Sequence, residues 1–102
     1  MHAMVNHLDT SVSHVIQALK DSGLWDRSLV VFHGDNGGEI LEPSCGGNNY
    51  PLRGGKFSNW EGGIRVNAFI TGGVLPSARR GQKETSLISV ADWYRTYCEL
   101  GE

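Results

Sequence analysis

Residues 28–38 read SLVVFHGDNGG, and this stretch decides how the surrounding chain is arranged. The run from Ser28 to Phe32 is short, apolar and rich in β-branched residues, which is typical of a strand covered on both faces. Asp35 and Asn36 follow just beyond its carboxyl end, where α/β sheets place their ligand-binding residues. The stretch therefore predicts a buried strand that leads directly into a polar site.

The rest of the chain divides into a few elements around this strand. A helix is predicted over residues 1–22, because apolar side chains recur along one face and Gly23 offers a stop. The apolar face comprises Met4, Val5, Leu8, Val12, Val15, Ile16 and Leu19. The other predicted elements are a strand at 28–33, an active-site loop at 34–63, a strand at 64–71 and a helix at 90–100. Ser89-x-x-Asp92 has the form of a capping box at the start of the last helix.

Two helices and two strands do not complete a fold around a strand that is buried on both faces. The predicted strands also lack the helical crossover that parallel neighbours require. We therefore expect residues 1–102 to form part of a larger α/β domain, and a small α+β domain that dimerises is the alternative. Trp25, Trp93 and Tyr94 are expected to pack the helices against the sheet.

Composition excludes several classes of function. The chain has 102 residues, 39% of them hydrophobic, and a formal net charge of -2, so a nucleic-acid partner is not expected. Cys45 and Cys98 are too few for a disulfide scaffold and lack a C-x-x-C spacing. The sequence contains neither a signal-peptide pattern nor an apolar run of the roughly 18 residues that a membrane span needs.

The predicted loop is dense in glycine: Gly34, Gly37, Gly38, Gly46, Gly47, Gly54, Gly55, Gly62 and Gly63. Glycine permits positive φ and a close approach of the backbone to a ligand, so the loop is predicted to fold tightly around a small polar group. Disorder is the alternative, but the interleaved Tyr50, Phe57 and Trp60 argue against it, because disordered segments are poor in aromatic residues.

Three polar features of the loop are candidates for chemistry. Asp35 and Asn36 offer a carboxylate and an amide oxygen suited to Ca²⁺ or Mg²⁺, although Asn36-Gly37 is equally consistent with a hairpin turn. Lys56 could hold an anionic oxygen as a compact point charge, with an ordinary solvated lysine as the alternative. Arg53 and Glu61 are expected to form an ion pair that shapes the loop.

Read together, these motifs resemble the sulfatase family, most closely its arylsulfatase B-like branch. The resemblance rests on DNGG at 35–38, PLRGGK at 51–56 and WEGG at 60–63, and it extends in order over essentially all of the chain. It implies an alkaline-phosphatase-like α/β sandwich, whose central, mostly parallel sheet is flanked by helices. The chain would be a carboxyl-side portion of that catalytic domain, with the rest of the domain as its partner.

The resemblance also implies a sulfuric ester hydrolase, acting on a sulfate-ester small molecule or a sulfated glycan. The family's nucleophile is a formylglycine made from a cysteine, and a divalent cation, Ca²⁺ or else Mg²⁺, holds the nucleophile and a sulfate oxygen. By position, Asp35 and Asn36 match two of the metal ligands, and Lys56 matches the lysine that contacts the sulfate. A lysosomal or secreted location is implied by the family alone.

Parts of the family pattern are missing from the sequence. The modified cysteine lies in Cys-x-Pro/Ala-x-Arg, but Cys45 is followed by Gly-Gly and Cys98 by Glu-Leu, so the formylglycine is expected in an upstream segment. The first aspartate pair of the metal site and the leaving-group lysine and histidines are also missing, and His33-Gly34 replaces the usual small hydroxyl residues. The 102 residues alone are therefore expected to be almost inactive.

Other interpretations stay open at this point. A phosphoesterase of the same superfamily would use a serine or threonine nucleophile, and a non-catalytic module would only bind sulfate or sulfated glycans. The pair His33-x-Asp35 is compatible with a different metallohydrolase. His7 and His14 are expected on the helix surface, because a zinc site would need a third ligand.

Overall fold

A computed structural model describes residues 2–101 of the chain. Its helices are α1 (His2–Asp21), α2 (Glu61–Ile64) and α3 (Val90–Leu100), and its strands are β1 (Val30–His33) and β2 (Ala68–Thr71). Short 3-10 turns cover Trp25–Arg27 and Ser77–Arg79. The glycine-rich loop lies between β1 and β2, so the two strands anchor both of its ends.

Helix α1 ends where the sequence predicts a stop. Gly23 takes φ +70°, a left-handed conformation that glycine adopts without steric cost. Its N–H donates to Lys20 O at 3.1 Å, and the N–H of Leu24 donates to Leu19 O at 2.9 Å. These two bonds form a Schellman motif, which satisfies carbonyls that the helix end would otherwise leave unpaired.

The two strands pair antiparallel, with Val30 opposite Thr71 and His33 opposite Ala68. Within the pair, the rings of Phe32 and Phe69 stack with their centroids 5.0 Å apart. An antiparallel pair needs no helical crossover, which fits the absence of a long helix between the strands. The sequence analysis expected a mostly parallel sheet, and the one pair of strands among residues 2–101 is antiparallel.

Strand β2 is shorter than the predicted strand at 64–71. Residues 61–64 form α2 instead, because the N–H groups of Ile64 and Arg65 bond back to Trp60 O and Glu61 O. Strand β1 is also shorter than predicted, since it begins at Val30 and not at Ser28. Ser28 instead caps the preceding 3-10 turn, because its N–H donates to Trp25 O.

Burial within residues 2–101 is confined to glycine. The four buried residues are Gly55, Gly62, Gly63 and Gly72, and no apolar side chain in this part of the chain is buried. Val30–Phe32 are only half-buried, so the described residues do not cover β1 on both faces as the sequence analysis expected. On the apolar face of α1, Val12, Ile16 and Leu19 are half-buried, and the other members are exposed.

The expected packing of two aromatic residues against the sheet is wrong for this chain. Helix α3 lies against no other helix or strand among the described residues. Trp93 stacks instead on Tyr97 of its own helix, with centroids 5.7 Å apart, and Tyr94 is exposed. Trp25 is half-buried beside the end of α1, with Lys20 Nζ 5.2 Å from its ring centroid.

The predicted capping box at the start of α3 is confirmed. Ser89 Oγ accepts a hydrogen bond from the Ala91 N–H, and the N–H of Ser89 donates to Asp92 Oδ2 at 2.8 Å. These bonds satisfy backbone donors that the first turn of a helix cannot pair internally.

None of the helices within residues 2–101 has the length and apolar character required to cross a bilayer.

Candidate active site

Three backbone segments meet inside the glycine-rich loop. We call residues 35–38 the aspartate segment and residues 53–56 the lysine segment; the third is α2. Gly37 N–H donates to Gly63 O at 2.8 Å, which joins the aspartate segment to α2. Gly62 N–H donates to Arg53 O at 2.8 Å, and Lys56 N–H donates to Gly38 O at 3.1 Å. Each segment is thus bonded to the other two.

Glycine makes this close contact sterically feasible. A Cβ atom at Gly37 would overlap the carbonyl oxygen of Gly62, and a Cβ at Gly62 would overlap that of Gly54. These obstacles are backbone atoms, which cannot rotate away as a flexible side chain would. Backbone-on-backbone packing therefore requires glycine at Gly37 of DNGG and at Gly62 and Gly63 of WEGG.

The aspartate segment leaves two oxygen ligands available. Asp35 is exposed, and its Oδ1 accepts the N–H of Asn36 at 2.9 Å. Asn36 is half-buried, and its Nδ2 donates to Gly37 O at 3.0 Å. Within the described part of the chain, neither Asp35 Oδ2 nor Asn36 Oδ1 accepts a hydrogen bond. The hairpin alternative is wrong, because β1 pairs with the distant β2 and not with a strand directly after Asn36.

These two oxygens are suited to a hard cation but make only part of its shell. Ca²⁺ takes six to eight oxygen ligands in proteins. No group of three or more histidine, cysteine, aspartate or glutamate side chains among residues 2–101 is arranged to hold a metal ion. The donor chemistry of Asp35 and Asn36 therefore fits a half-site, which needs further ligands from elsewhere in the protein.

Lys56 is half-buried and follows a buried glycine in the lysine segment. Its Nζ lies 5.2 Å from the ring centroid of Phe57, and Phe57 itself takes φ 71°, which is unusual for a residue with a side chain. Lys56 is in none of the ion pairs found among the described residues. Its ammonium group is thus not neutralised by a carboxylate of this part of the chain.

The expected ion pair between Arg53 and Glu61 is wrong. The Arg53 guanidinium lies over the ring of Trp60, 3.8 Å from its centroid, in a cation–π arrangement. Glu61 pairs instead with Arg65, one turn further along the chain, at 3.4 Å. Within the described residues, Arg53 therefore contacts an aromatic face, and the backbone bonds given above join the segments of the loop.

Sequence reasoning missed Asn49, which contacts two of the three segments. Its Oδ1 accepts the N–H of Gly38 at 2.8 Å, and its Nδ2 donates to Gly38 O at 2.9 Å and to Gly54 O at 3.1 Å. Its neighbour Asn48 makes only a local bond, in which Oδ1 accepts the N–H of Tyr50 at 3.0 Å. The sequence offers no signal that separates these two asparagines.

The remaining candidate residues are the histidines and cysteines, and the structure shows each of them exposed. His33 is exposed, and its Nδ1 donates a hydrogen bond to Gly34 O at 2.8 Å. His7 and His14 are exposed on α1. Cys45 and Cys98 are both exposed free thiols.

A protein-family model described as Sulfatase matches residues 2–101. The chain belongs to the sulfatase family. It is 40% identical to arylsulfatase J of Mus musculus over 100 residues, which is 98% of this chain and 16% of that relative. It is 41% identical to arylsulfatase A of Homo sapiens over 71 residues, 68% of this chain and 14% of that relative. Steryl-sulfatase of Homo sapiens is 34% identical over 101 residues, 94% of this chain and 17% of that relative.

This sulfatase chain therefore spans less than a fifth of each of these relatives. No solved structure gives a significant match. Family membership confirms the resemblance drawn from DNGG, PLRGGK and WEGG, and it places the chain in a family of sulfuric ester hydrolases. The alkaline-phosphatase-like α/β class follows from the family, and the helices and two-stranded sheet of the described residues are consistent with it.

Proposed function

We propose that the protein is an arylsulfatase-like sulfuric ester hydrolase, in which the aspartate segment binds a metal ion and Lys56 binds the sulfate group. Asp35 and Asn36 would supply two oxygen ligands to Ca²⁺, with Mg²⁺ as the other candidate. The observation that carries the proposal is the bond from Lys56 N–H to Gly38 O at 3.1 Å, which joins the segment of the oxygen donors to that of the lysine. Family membership supports the reaction type.

Each residue has a distinct task in this proposal. The Asp35 carboxylate contributes negative charge and the Asn36 amide a neutral oxygen, both of them hard ligands. When bound, the cation supplies Lewis-acid stabilisation of the sulfate oxygens. Lys56 offers a compact positive charge where negative charge develops on those oxygens, and no described carboxylate competes for it.

The nucleophile and the remaining metal ligands would come from other parts of the full-length protein. Neither Cys45 nor Cys98 lies in Cys-x-Pro/Ala-x-Arg, so neither is proposed as the formylglycine precursor. We expect the 102 residues by themselves to have almost no sulfatase activity. The expected substrate is a sulfate-ester small molecule or a sulfated glycan.

Calorimetry on the full-length protein tests the metal ligands. Asp35→Ala should remove most of the heat of Ca²⁺ binding, because the site loses its charged ligand from this segment. Asp9→Ala is the matched control, since Asp9 is an exposed carboxylate on α1. Equal heats for the two variants would remove Asp35 from the site.

Turnover of an aryl sulfate tests Lys56. Loss of one preorganised group that stabilises developing charge costs about 10²–10³-fold in kcat, so a fall of that order is expected for Lys56→Ala. Lys83→Ala, at an exposed lysine, should leave the rate unchanged. An aryl phosphate is assayed in parallel. Wild-type turnover by Lys56→Ala would refute its role, and hydrolysis of the phosphate in place of the sulfate would indicate a phosphoesterase.

A further inference from the structure

We propose that Asn49 is a positioning residue of the active site, which holds the aspartate segment in register with the lysine segment. The inference rests on the proposed function, because the two segments would carry the metal ligands and the sulfate-binding lysine. Asn49 itself would touch neither the cation nor the substrate. It would act through Gly38 and Gly54.

The side chain of Asn49 is half-buried, and its amide is used almost to capacity. A primary amide has two N–H donors and one carbonyl acceptor. Both donors are engaged, by Gly38 O at 2.9 Å and Gly54 O at 3.1 Å, and the acceptor receives Gly38 N–H at 2.8 Å. The amide thus pairs with both backbone groups of Gly38, as a neighbouring strand would, while it also bonds the lysine segment.

Gly38 is the point at which the two segments are joined. Its carbonyl oxygen accepts both Asn49 Nδ2 and the N–H of Lys56, at 2.9 Å and 3.1 Å. Gly38 lies two residues after Asn36, so a shift at Gly38 would move both proposed metal ligands relative to Lys56. Without the amide, the N–H of Gly38 and the carbonyl of Gly54 would lose these partners in a half-buried setting, where unpaired polar groups are unfavourable.

The test compares Asn49→Ala with Asn48→Ala in the full-length protein. The control removes the same side chain from the next position, where it makes only the exposed turn bond to Tyr50 N–H. Both variants are assayed well below their unfolding temperatures, for Ca²⁺ affinity by calorimetry and for kcat/KM with an aryl sulfate. We expect Asn49→Ala to lower both quantities on the order of 10- to 100-fold, as is typical for groups that orient metal ligands. Asn48→Ala should match the wild type.

A purely architectural role predicts a different result. The unfolding temperature of Asn49→Ala would fall, but Ca²⁺ affinity and kcat/KM of the folded protein would match those of Asn48→Ala. That outcome would overturn the proposal.

The isosteric variant Asn49→Asp separates shape from hydrogen bonding. It preserves the size of the side chain and the acceptor for Gly38 N–H, but it turns both donated bonds into close approaches between oxygens. We expect it to lose at least as much Ca²⁺ affinity as Asn49→Ala. Wild-type affinity would contradict the assigned role, because the two donated bonds would then be dispensable.

Two further measurements test the role of Asn49: comparison with the Asp35 and Lys56 variants, and hydrogen exchange at Gly38. If Asp35→Ala and Lys56→Ala both behave as wild type, the proposed function and the role of Asn49 fail together; if they lose function and Asn49→Ala does not, only the role of Asn49 fails. Hydrogen exchange of the unsubstituted protein needs no folded variant. The Gly38 amide should exchange slowly, and more slowly with Ca²⁺ present, whereas exchange at the rate of an unprotected amide would overturn the proposal.

Discussion

Gly62→Ala is the substitution that most directly tests the backbone packing of the glycine-rich loop. Gly62 is buried in α2, and its backbone conformation is not left-handed. An alanine at this position would therefore be destabilising because its Cβ lacks space, and not because of its φ angle. A Cβ there would overlap Gly54 O and lie 2.7 Å from Arg53 O. Because both obstacles are backbone oxygens, α2 and the lysine segment must move apart.

The structure gives the size of the effect. Separation of these two segments would weaken the bond from Gly62 N–H to Arg53 O, which is 2.8 Å long. One such bond is worth about 1 kcal/mol, and forced overpacking adds about 1–3 kcal/mol. We therefore expect a loss of about 2–4 kcal/mol in the free energy of unfolding, a large share of the ~5–15 kcal/mol typical of a domain.

Denaturant unfolding of the full-length protein measures this loss, and aryl sulfate turnover of the folded fraction measures the damage to the site. Gly81→Ala is the control. Gly81 takes φ +70° but has open space around its Cβ direction, so alanine there costs only the left-handed strain of about 1–2 kcal/mol and should spare activity. If Gly62→Ala were no less stable and no less active than Gly81→Ala, the packing argument would be refuted.

Two further predictions concern the segment that follows β2. Ser89→Ala should destabilise the first turn of α3 by about 1 kcal/mol, since Ala91 N–H loses its acceptor; faster amide exchange in that turn is the readout, and unchanged exchange would contradict it. Hydrogen bonds from the backbone N–H and hydroxyl of Ser86, and from the N–H of Thr85, lower the pKa of Glu84 from 4.5 to about 2. Since the folded pKa is the lower one, these bonds stabilise the turn above pH 4.5 and are lost as the pH falls toward 2; a carboxyl NMR titration with its midpoint near 4.5 would disprove this.

The sequence predicted the helices α1 and α3 because the features that define them lie within a few residues of each other. The apolar period of α1, its glycine stop and the capping box of α3 all act within a few residues, so the sequence carries the complete information. The sequence predicts that β2 starts too early, because Ile64 and Val66 are β-branched residues that favour a strand. The N–H groups of Ile64 and Arg65 nevertheless bond to the carbonyls of Trp60 and Glu61, which makes residues 61–64 helical.

The site was only partly predictable for the same reason. Asp35, Asn36 and Lys56 could be proposed from motif and residue type, and their roles stay predictions. The partner of Arg53 could not be predicted, because charge alone favours Glu61, whereas in the folded chain Arg53 lies over the ring of Trp60. The contacts of Asn49 could not be predicted either, because its side chain bonds to the backbone of Gly38, which lies eleven positions earlier in the chain.

The antiparallel pairing of His33 with Ala68 closes the whole of residues 34–67 into a single loop. Contacts between such distant positions are slow to form, because closure entropy must be overcome before they contribute any stability. The aspartate segment is bonded by Asn49, Lys56 and Gly63, all of which follow it in the chain. We therefore expect the three segments of the loop to come together later in folding than local elements such as α1, whose hydrogen bonds span only a few residues.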